Sequence, residues 1–125
     1  MRKTRVATSA LVLSLLLLKV AHAEGDAVRG EARFKECAAC HKLDAATNEV
    51  GPSLHGIFSR KAGELGDFRY SPAMKRSGVT WTAETLDKYI ADPQAFIPAN
   101  RMPYAGISNA SDRADLIAYL RKATQ

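Results

Sequence analysis

The sequence has only two cysteines, and it lacks a second pair of closely spaced metal ligands. A structural zinc site uses about four ligands, so this shortage argues against a zinc-binding protein. Internal repeats, low-complexity segments and a convincing pair of strands are also missing, which excludes a repeat architecture and gives no support to a β-sheet. The 125 residues are enough for one domain.

An excess of basic residues is missing from most of the chain as well. The formal net charge of the whole sequence is +5, but residues 1–23 contain four of the 18 basic residues and none of the 13 acidic ones. The rest of the chain is therefore close to neutral, at about +1. Such a balance indicates no basic patch, so we predict no nucleic-acid partner.

Residues 1–23 have the organisation of a secretory signal peptide. A basic start is followed by the apolar run "VATSALVLSLLLL" and then by "AHA" at residues 21–23, a small-x-small cleavage site. The run is shorter than the ~20 residues that a membrane-spanning helix needs, and an uncleaved anchor is the alternative. We predict that residues 1–23 are removed and that residues 24–125 form a mature domain, which reaches the periplasm without remaining in a membrane.

The mature chain predicts an all-α fold of about three main helices, short helical turns and long loops. In the first helix Asp26 is the expected N-cap, and Gly30 and Phe34 lie on one face. Glycine in mid-helix costs about 1 kcal/mol relative to alanine, which predicts that another helix approaches closely there. Residues 44–77 then lose periodicity, apart from a helical turn near 71–75.

Two further helices follow this loop region. Thr80 or Thr82 is predicted to cap one helix, which Pro93 ends, and Ser108 or Asn109 is predicted to cap the last. Their expected apolar faces are Leu86, Tyr89 and Ile90 in the first and Ala110, Ala114, Ile117 and Leu120 in the second. About half of the domain is then loop, which leaves the core small, and a large apolar cofactor would supply what is missing.

The stretch "FKECAACHKL" contains the most specific chemistry, because two residues separate Cys37 from Cys40 and His41 follows directly. Four interpretations compete: a zinc site with His55 as fourth ligand, a thioredoxin-like redox pair, a structural disulfide and c-type haem attachment. Zinc lacks the second ligand pair, a redox pair needs a strand–helix context, and a disulfide leaves His41 and the long loops unexplained. We favour haem attachment, in which both cysteines form thioethers and His41 is an axial ligand of the iron.

Methionine is the expected second axial ligand, because His/Met ligation suits electron transfer. The candidates in the mature chain are Met74 and Met102. Pro98 and Pro103 flank Met102 and stiffen its loop, so we predict Met102 as the ligand and Met74 as a packing or surface residue. His55 is the histidine alternative, and we expect it to face solvent.

In their order and spacing, the motifs of residues 25–122 resemble the class I cytochromes c, particularly the mitochondrial-like and bacterial cytochrome c2 group. The resemblance is carried by "CAACH", "GPSLHGIFSRKAG", "YSPAMKRSGVTW", "YIADP", "IPANRMPYAG" and "DLIAYL". It implies the fold of that family, wrapped round one haem c attached through Cys37 and Cys40, and the activity of a one-electron carrier.

The resemblance also implies roles for five further residues. Pro52 is expected to accept a hydrogen bond from His41 through its carbonyl, and Tyr89 to lie beside the Met102 sulfur. Three residues fall where the family stabilises a buried haem propionate: Arg60, Tyr70 and Trp81. Each also has a structural alternative, as a packing residue, a loop anchor or a surface charge.

One departure from the mitochondrial members concerns the lysines that surround their exposed haem edge. Arg101 keeps the positive charge, whereas the other matching positions are Glu36, Gln94, Ala95, Ser108 and Asn109. Strong electrostatic steering towards an acidic partner is therefore not expected.

We predict a soluble, exported, monomeric electron carrier that is not an enzyme and that exchanges electrons with protein donors and acceptors. One alternative is an electron-transfer subunit of a larger exported dehydrogenase. Another is a small haem peroxidase or gas-binding protein, which would need an open iron site. Met102 would block such a site, and the sequence shows no distal acid–base pair.

Overall fold

The computed structural model describes residues 24–45 and 47–125, so the predicted signal peptide at 1–23 lies outside the described residues. The described residues form five helices: α1 (Ala27–Ala38), α2 (Pro72–Arg76), α3 (Ala83–Ala91), α4 (Pro93–Phe96) and α5 (Ala110–Ala123). Strand pairing among them is limited to one isolated antiparallel bridge between Lys61 and Thr80, which agrees with the predicted all-α class. In this part of the chain no helix is long and apolar enough to cross a membrane.

The three longer helices begin at side-chain caps. Asp26 and Asn109 accept hydrogen bonds from backbone N–H groups in the first turns of α1 and α5. Thr82, rather than Thr80, caps α3, and the Thr85 hydroxyl accepts a bond from the Thr82 N–H in return. These caps satisfy N–H groups that have no partner within the helix, which is why the local sequence determines where each helix starts.

The short helix α4 occupies the start of a segment that was expected to be a loop. Asp92 follows the last residue of α3, and its carboxylate accepts a hydrogen bond from the Ala95 N–H over 3.0 Å. Pro93 takes the first helical position, where its missing N–H would have had no helical partner. The aspartate–proline pair therefore ends one helix and begins another.

Helices α1 and α5 pack directly against each other, as the mid-helix glycine predicts. A Cβ atom on Gly30 would clash with the backbone carbonyl of Asp115 and with the side chain of Tyr119. The Phe34 and Tyr119 rings pack with their centroids 5.4 Å apart. Arg29 donates two hydrogen bonds to the Asp115 carboxylate, over 2.7 and 3.0 Å. The close approach at Gly30 is confirmed.

The predicted apolar stripe of α5 is wrong at its N-terminal end. Ala110 is exposed, and Asp115 and Leu116 are buried in addition to the predicted Ile117 and Leu120. A buried carboxylate is tolerated only when hydrogen bonds or charges satisfy it, and here an arginine of α1 does so. A pattern of apolar residues cannot predict the burial of a polar residue that is stabilised by a distant partner.

The core is a single cluster to which both helices and loops contribute. Its buried members are Phe34, Ile57, Ala62, Trp81, Leu86, Tyr89, Ile90, Ile97, Leu116, Ile117 and Leu120. The segment at 44–77 supplies Ile57 and Ala62 to it, so this long region without periodicity is ordered by packing. Part of the same cluster forms the wall of a cavity.

Candidate haem site

A cavity of about 340 Å³ is bounded by the C-terminal end of α1, by α3 and by the loop at 101–104. Its lining includes all nine residues that the sequence analysis assigns to a site: Cys37, Cys40, His41, Pro52, Arg60, Tyr70, Trp81, Tyr89 and Met102. Apolar side chains such as Leu54, Ile57 and Leu116 complete the wall. The chain thus gathers thiol, imidazole, thioether and guanidinium groups around one apolar space.

The two cysteines lie on one helical turn at the end of α1. The Cys40 and His41 N–H groups both donate to the Cys37 carbonyl, over 3.0 and 2.9 Å. Both thiols are free and half-buried. Burial raises the pKa of Cys37 to about 11, whereas a redox-active cysteine has a lowered pKa. Within the described residues, no group of three or more His, Cys, Asp or Glu side chains is arranged to hold a metal ion, so the zinc interpretation gains no support.

The His41 ring is held on two sides. Its Nδ1 lies 2.7 Å from the Pro52 carbonyl oxygen, which can only accept, so Nδ1 carries the proton and Nε2 keeps a free lone pair. Gly51 packs against the ring so closely that a Cβ atom there would lie 2.5 Å from Cε1. Burial lowers the pKa of His41 and outweighs the opposing effect of the Pro52 bond. A neutral imidazole fixed in this tautomer is the form that binds a metal.

Met102 is held by two hydrogen bonds, one to its side chain and one to its backbone. The Tyr89 hydroxyl donates to the Met102 sulfur over 3.4 Å, and burial raises the pKa of Tyr89 to about 12, so the hydroxyl keeps its proton. The Met102 N–H donates to Oδ1 of the buried Asn100 over 2.8 Å. Met74 also lines the cavity, whereas His55 is exposed and lies outside the lining.

Arg60, Tyr70 and Trp81 form a polar part of the lining. The Arg60 guanidinium donates to the His55 and Ser53 carbonyls, over 2.8 Å in each case. The backbone N–H of Trp81 donates to the backbone carbonyl of Arg60 over 2.9 Å, which holds the two residues together. Burial lowers the pKa of Arg60 and raises the pKa of Tyr70, on which the Arg60 charge acts in the opposite direction. A half-buried cation beside a phenol and an indole suits a carboxylate.

Three features of the site were not assigned by sequence reasoning. Gly51 leaves space for the imidazole ring, and its only sequence signal is its position before Pro52. Asn100 donates to two carbonyls of the α4 region through Nδ2, a role that no local pattern signals. Glu36 and Tyr104 form a hydrogen bond across the cavity edge, and they are too far apart in sequence for any motif to pair them.

The donor set fits a covalently attached haem. Two free thiols on one turn can form thioethers, and His41 and Met102 supply one imidazole and one thioether to the same space. The space left at Gly51 lets the imidazole lie against the backbone without a methyl group in its way. The apolar wall suits a macrocycle, and Arg60 and Tyr70 suit its carboxylates.

Comparison with known proteins agrees with this geometry. A sequence model of the cytochrome c family matches residues 27–124. Cytochrome c2 iso-2 of Magnetospirillum fulvum is 50% identical over 88 residues, which are 70% of this chain and 92% of that protein. Cytochrome c2 of Rhodomicrobium vannielii is 47% identical over 106 residues, 84% of this chain and 83% of its own.

A third relative extends the similarity over most of the chain. Cytochrome c2 of Blastochloris viridis is 43% identical over 116 residues, which are 90% of this chain and 91% of that protein. The match over residues 27–124 covers all five helices and the loops that line the cavity. The chain therefore belongs to the cytochrome c family, in its class I and c2 group, and is a single-haem electron carrier with covalently bound haem c.

Proposed function

We propose that Cys37 and Cys40 would hold haem c through two thioethers and that His41 and Met102 would bind its iron. The haem supplies an iron atom that alternates between Fe(II) and Fe(III). The observation that carries this assignment is the fixed tautomer of His41, whose Nδ1 bonds to the Pro52 carbonyl in the cavity that Met102 also lines. That bond orients the ring and increases the basicity of Nε2, as partners of metal-binding histidines do.

The other cavity residues adjust the site. Tyr89 donates to the Met102 sulfur and withdraws electron density from it, which favours the reduced state. Arg60, Tyr70 and Trp81 line the same part of the cavity and would hold a propionate of the haem, the arginine by charge and the other two by hydrogen bonding. The apolar wall would keep water away from the iron. This also favours the reduced state, because Fe(II) carries less charge than Fe(III) and its burial costs less free energy.

The protein acts as a free monomeric carrier and not as an enzyme. It would take an electron from one protein partner and give it to another, and His41 and Met102 would hold the haem iron in both oxidation states. Met102 in the cavity supports this proposal against a peroxidase or gas-binding function, because a thioether on the iron leaves no open position. A subunit of a larger dehydrogenase is the second candidate, and co-purification with a large partner would favour it.

The mature protein consists of residues 24–125 and works in the periplasm. The support is the signal-peptide pattern at 1–23, together with a haem type that is attached outside the cytoplasm. The intact mass of the haem-loaded protein tests this directly. The expected mass is that of residues 24–125 with one haem. A mass that also includes residues 1–23 would mean an uncleaved anchor.

Absorption spectra of the oxidised and reduced protein test the ligand assignment. The wild type is expected to show the weak long-wavelength band of methionine-ligated ferric haem. Met102→Ala is expected to abolish this band, and Met74→Leu, the matched control, to keep it. If Met102→Ala keeps the band and Met74→Leu loses it, Met74 is the ligand. Rapid cyanide binding to the wild type at neutral pH would favour an open site and an enzyme.

A further inference from the structure

A hydrogen bond crosses the cavity edge between two segments that are distant in sequence. The Tyr104 hydroxyl donates to Glu36 Oε2 over 2.7 Å, and both residues line the cavity. Glu36 lies in α1 directly before Cys37, and Tyr104 lies two residues after Met102. The bond therefore connects the turn that holds both thiols with the loop that carries the thioether.

The rest of the Met102 loop is held at its two ends. At one end Asn100 is buried and donates to the Pro93 and Ile97 carbonyls, while it accepts from the Met102 N–H. At the other end the Ile107 N–H donates to the carbonyl of Ile90 over 2.9 Å. Gly106 packs against the end of α3 as well, because a Cβ atom there would clash with the Ala91 carbonyl. These contacts fix where the loop leaves and rejoins the fold, and they leave its middle, at 103–105, to be held by other means.

Within residues 24–45 and 47–125, the Tyr104–Glu36 bond is the one hydrogen bond that joins the middle of this loop to α1. The Tyr104 N–H donates to the Met102 carbonyl over 2.9 Å, so the backbone of Tyr104 is coupled to that of Met102. A movement of the tyrosine away from α1 would therefore carry the methionine with it. The bond is exposed to solvent, which offsets the strengthening that a charged acceptor gives, so a net effect of ordinary size is expected.

We propose that the Tyr104–Glu36 hydrogen bond is a latch that keeps the Met102 loop closed against α1, with Tyr104 and Glu36 as positioning residues for the thioether. The latch rests on the proposed role of Met102 for its consequence at the iron, but its effect on the loop does not depend on that role. When the latch is absent, the loop opens more often between its anchors at Asn100 and Ile107. The opening lets water and small ligands reach the position that Met102 occupies.

Native-state hydrogen exchange of the haem-loaded protein measures this opening. Tyr104→Phe removes the donor and keeps the ring, and it is expected to speed exchange of the Met102 and Tyr104 (now Phe) amides by about five-fold, the factor that one net hydrogen bond of ordinary strength carries. The Gly30 amide, which bonds to the carbonyl of the N-cap residue Asp26, is expected to be unchanged. Tyr119→Phe, which removes a tyrosine hydroxyl on α5, is the matched control and is expected to leave the loop amides unchanged.

A double-mutant cycle shows whether the two side chains act together. Glu36→Ala is expected to speed the loop amides as much as Tyr104→Phe, and the double variant to be no faster than either single one. Unchanged loop exchange in Tyr104→Phe would overturn the latch. Additive effects in the double variant would overturn it as well, because independent side chains do not form a latch.

Imidazole binding to the oxidised protein connects the latch to the iron and separates the two proposals. Tyr104→Phe is expected to bind imidazole about five-fold more tightly than the wild type. If Met102→Ala leaves the spectrum and the imidazole affinity unchanged, the ligand assignment is wrong, while the exchange data still decide the latch. If Met102→Ala changes both but Tyr104→Phe changes neither exchange nor affinity, the latch is wrong and the ligand assignment stands.

Discussion

The Tyr89 hydroxyl donates a hydrogen bond to the sulfur of Met102 over 3.4 Å and thereby joins α3 to the loop at the cavity edge. The tyrosine is 6% exposed, and its ring packs against Trp81 with the centroids 5.0 Å apart. Its pKa, raised to about 12 by burial, keeps the proton on the hydroxyl across the physiological range. The hydroxyl can therefore donate throughout this range, and its removal should change the electron density on the Met102 sulfur.

Tyr89→Phe is expected to lower the reduction potential by some tens of millivolts. Without the donor, the sulfur gives more electron density to the iron, which favours Fe(III). Potentiometric titration of the variant and the wild type checks the sign. Tyr119→Phe is the control, because its ring packs against Phe34 on the helix pair. An unchanged or raised potential in Tyr89→Phe would show that the bond does not act on the iron in this way.

Gly51→Ala is expected to destabilise the haem-loaded protein by about 1–3 kcal/mol, the usual cost of overpacking. The added methyl group would lie 2.5 to 2.9 Å from three atoms of the His41 ring and would push it away from the Pro52 carbonyl. Guanidinium unfolding curves measure the loss. Gly66→Ala is the matched control, since a Cβ atom at Gly66 meets nothing within 4 Å. Equal stability of the two variants would mean that the ring is not held by this contact.

Asp115→Asn is expected to lower the free energy of unfolding at neutral pH, and the difference from wild type should shrink in acid. The Arg29 hydrogen bonds lower the pKa of Asp115 in the folded state, so the group stabilises the fold above the unfolded pKa of about 3.9. That stabilisation is lost as the pH falls through the lower folded pKa. Urea unfolding across this acid range tests the sign. The exposed Asp67→Asn is the control, and a difference that grows in acid would contradict the assignment.

The chain without haem is expected to be largely unfolded. Without the haem, apolar side chains of the cavity wall such as Leu54, Ile57 and Leu116 would face water, and a small domain has little stability to offset that cost. Circular dichroism of a Cys37→Ala, Cys40→Ala variant purified without haem measures this. A cooperative thermal transition like that of the haem-loaded protein would show that the core is stable alone.

Local sequence was enough to predict the features that depend on neighbouring residues. The side chains of Asp26, Thr82 and Asn109 satisfy the nearest backbone N–H groups, so the sequence could predict where these helices start. For α3 and α5 the prediction left a choice between two residues. The thiol pair and His41 are contiguous, so their chemistry was also visible. Gly30 signalled a close approach because a glycine in mid-helix is unfavourable without one.

The short helix α4 and the buried face of α5 could not be predicted from local sequence. A proline that ends one helix can begin the next, and the sequence does not say which will happen until the chain at Asn100 folds back onto α4. The burial of Asp115 was not predicted, because it depends on Arg29, which is 86 residues away. Periodicity detects apolar residues, not polar ones that are buried with a partner.

The sequence by itself determined where α1, α3 and α5 begin, the order of the motifs, the type of cofactor and the family. Only the tertiary structure decided that Gly51 makes room for His41, that Arg29 bonds to the buried Asp115, and that Tyr104 bonds to Glu36. The physical reason is the separation in sequence between the residues that make each contact. Caps, turns and the thiol pair are set by bonds across a few residues, whereas each of these three contacts joins segments whose distance depends on how the whole chain packs round the cavity.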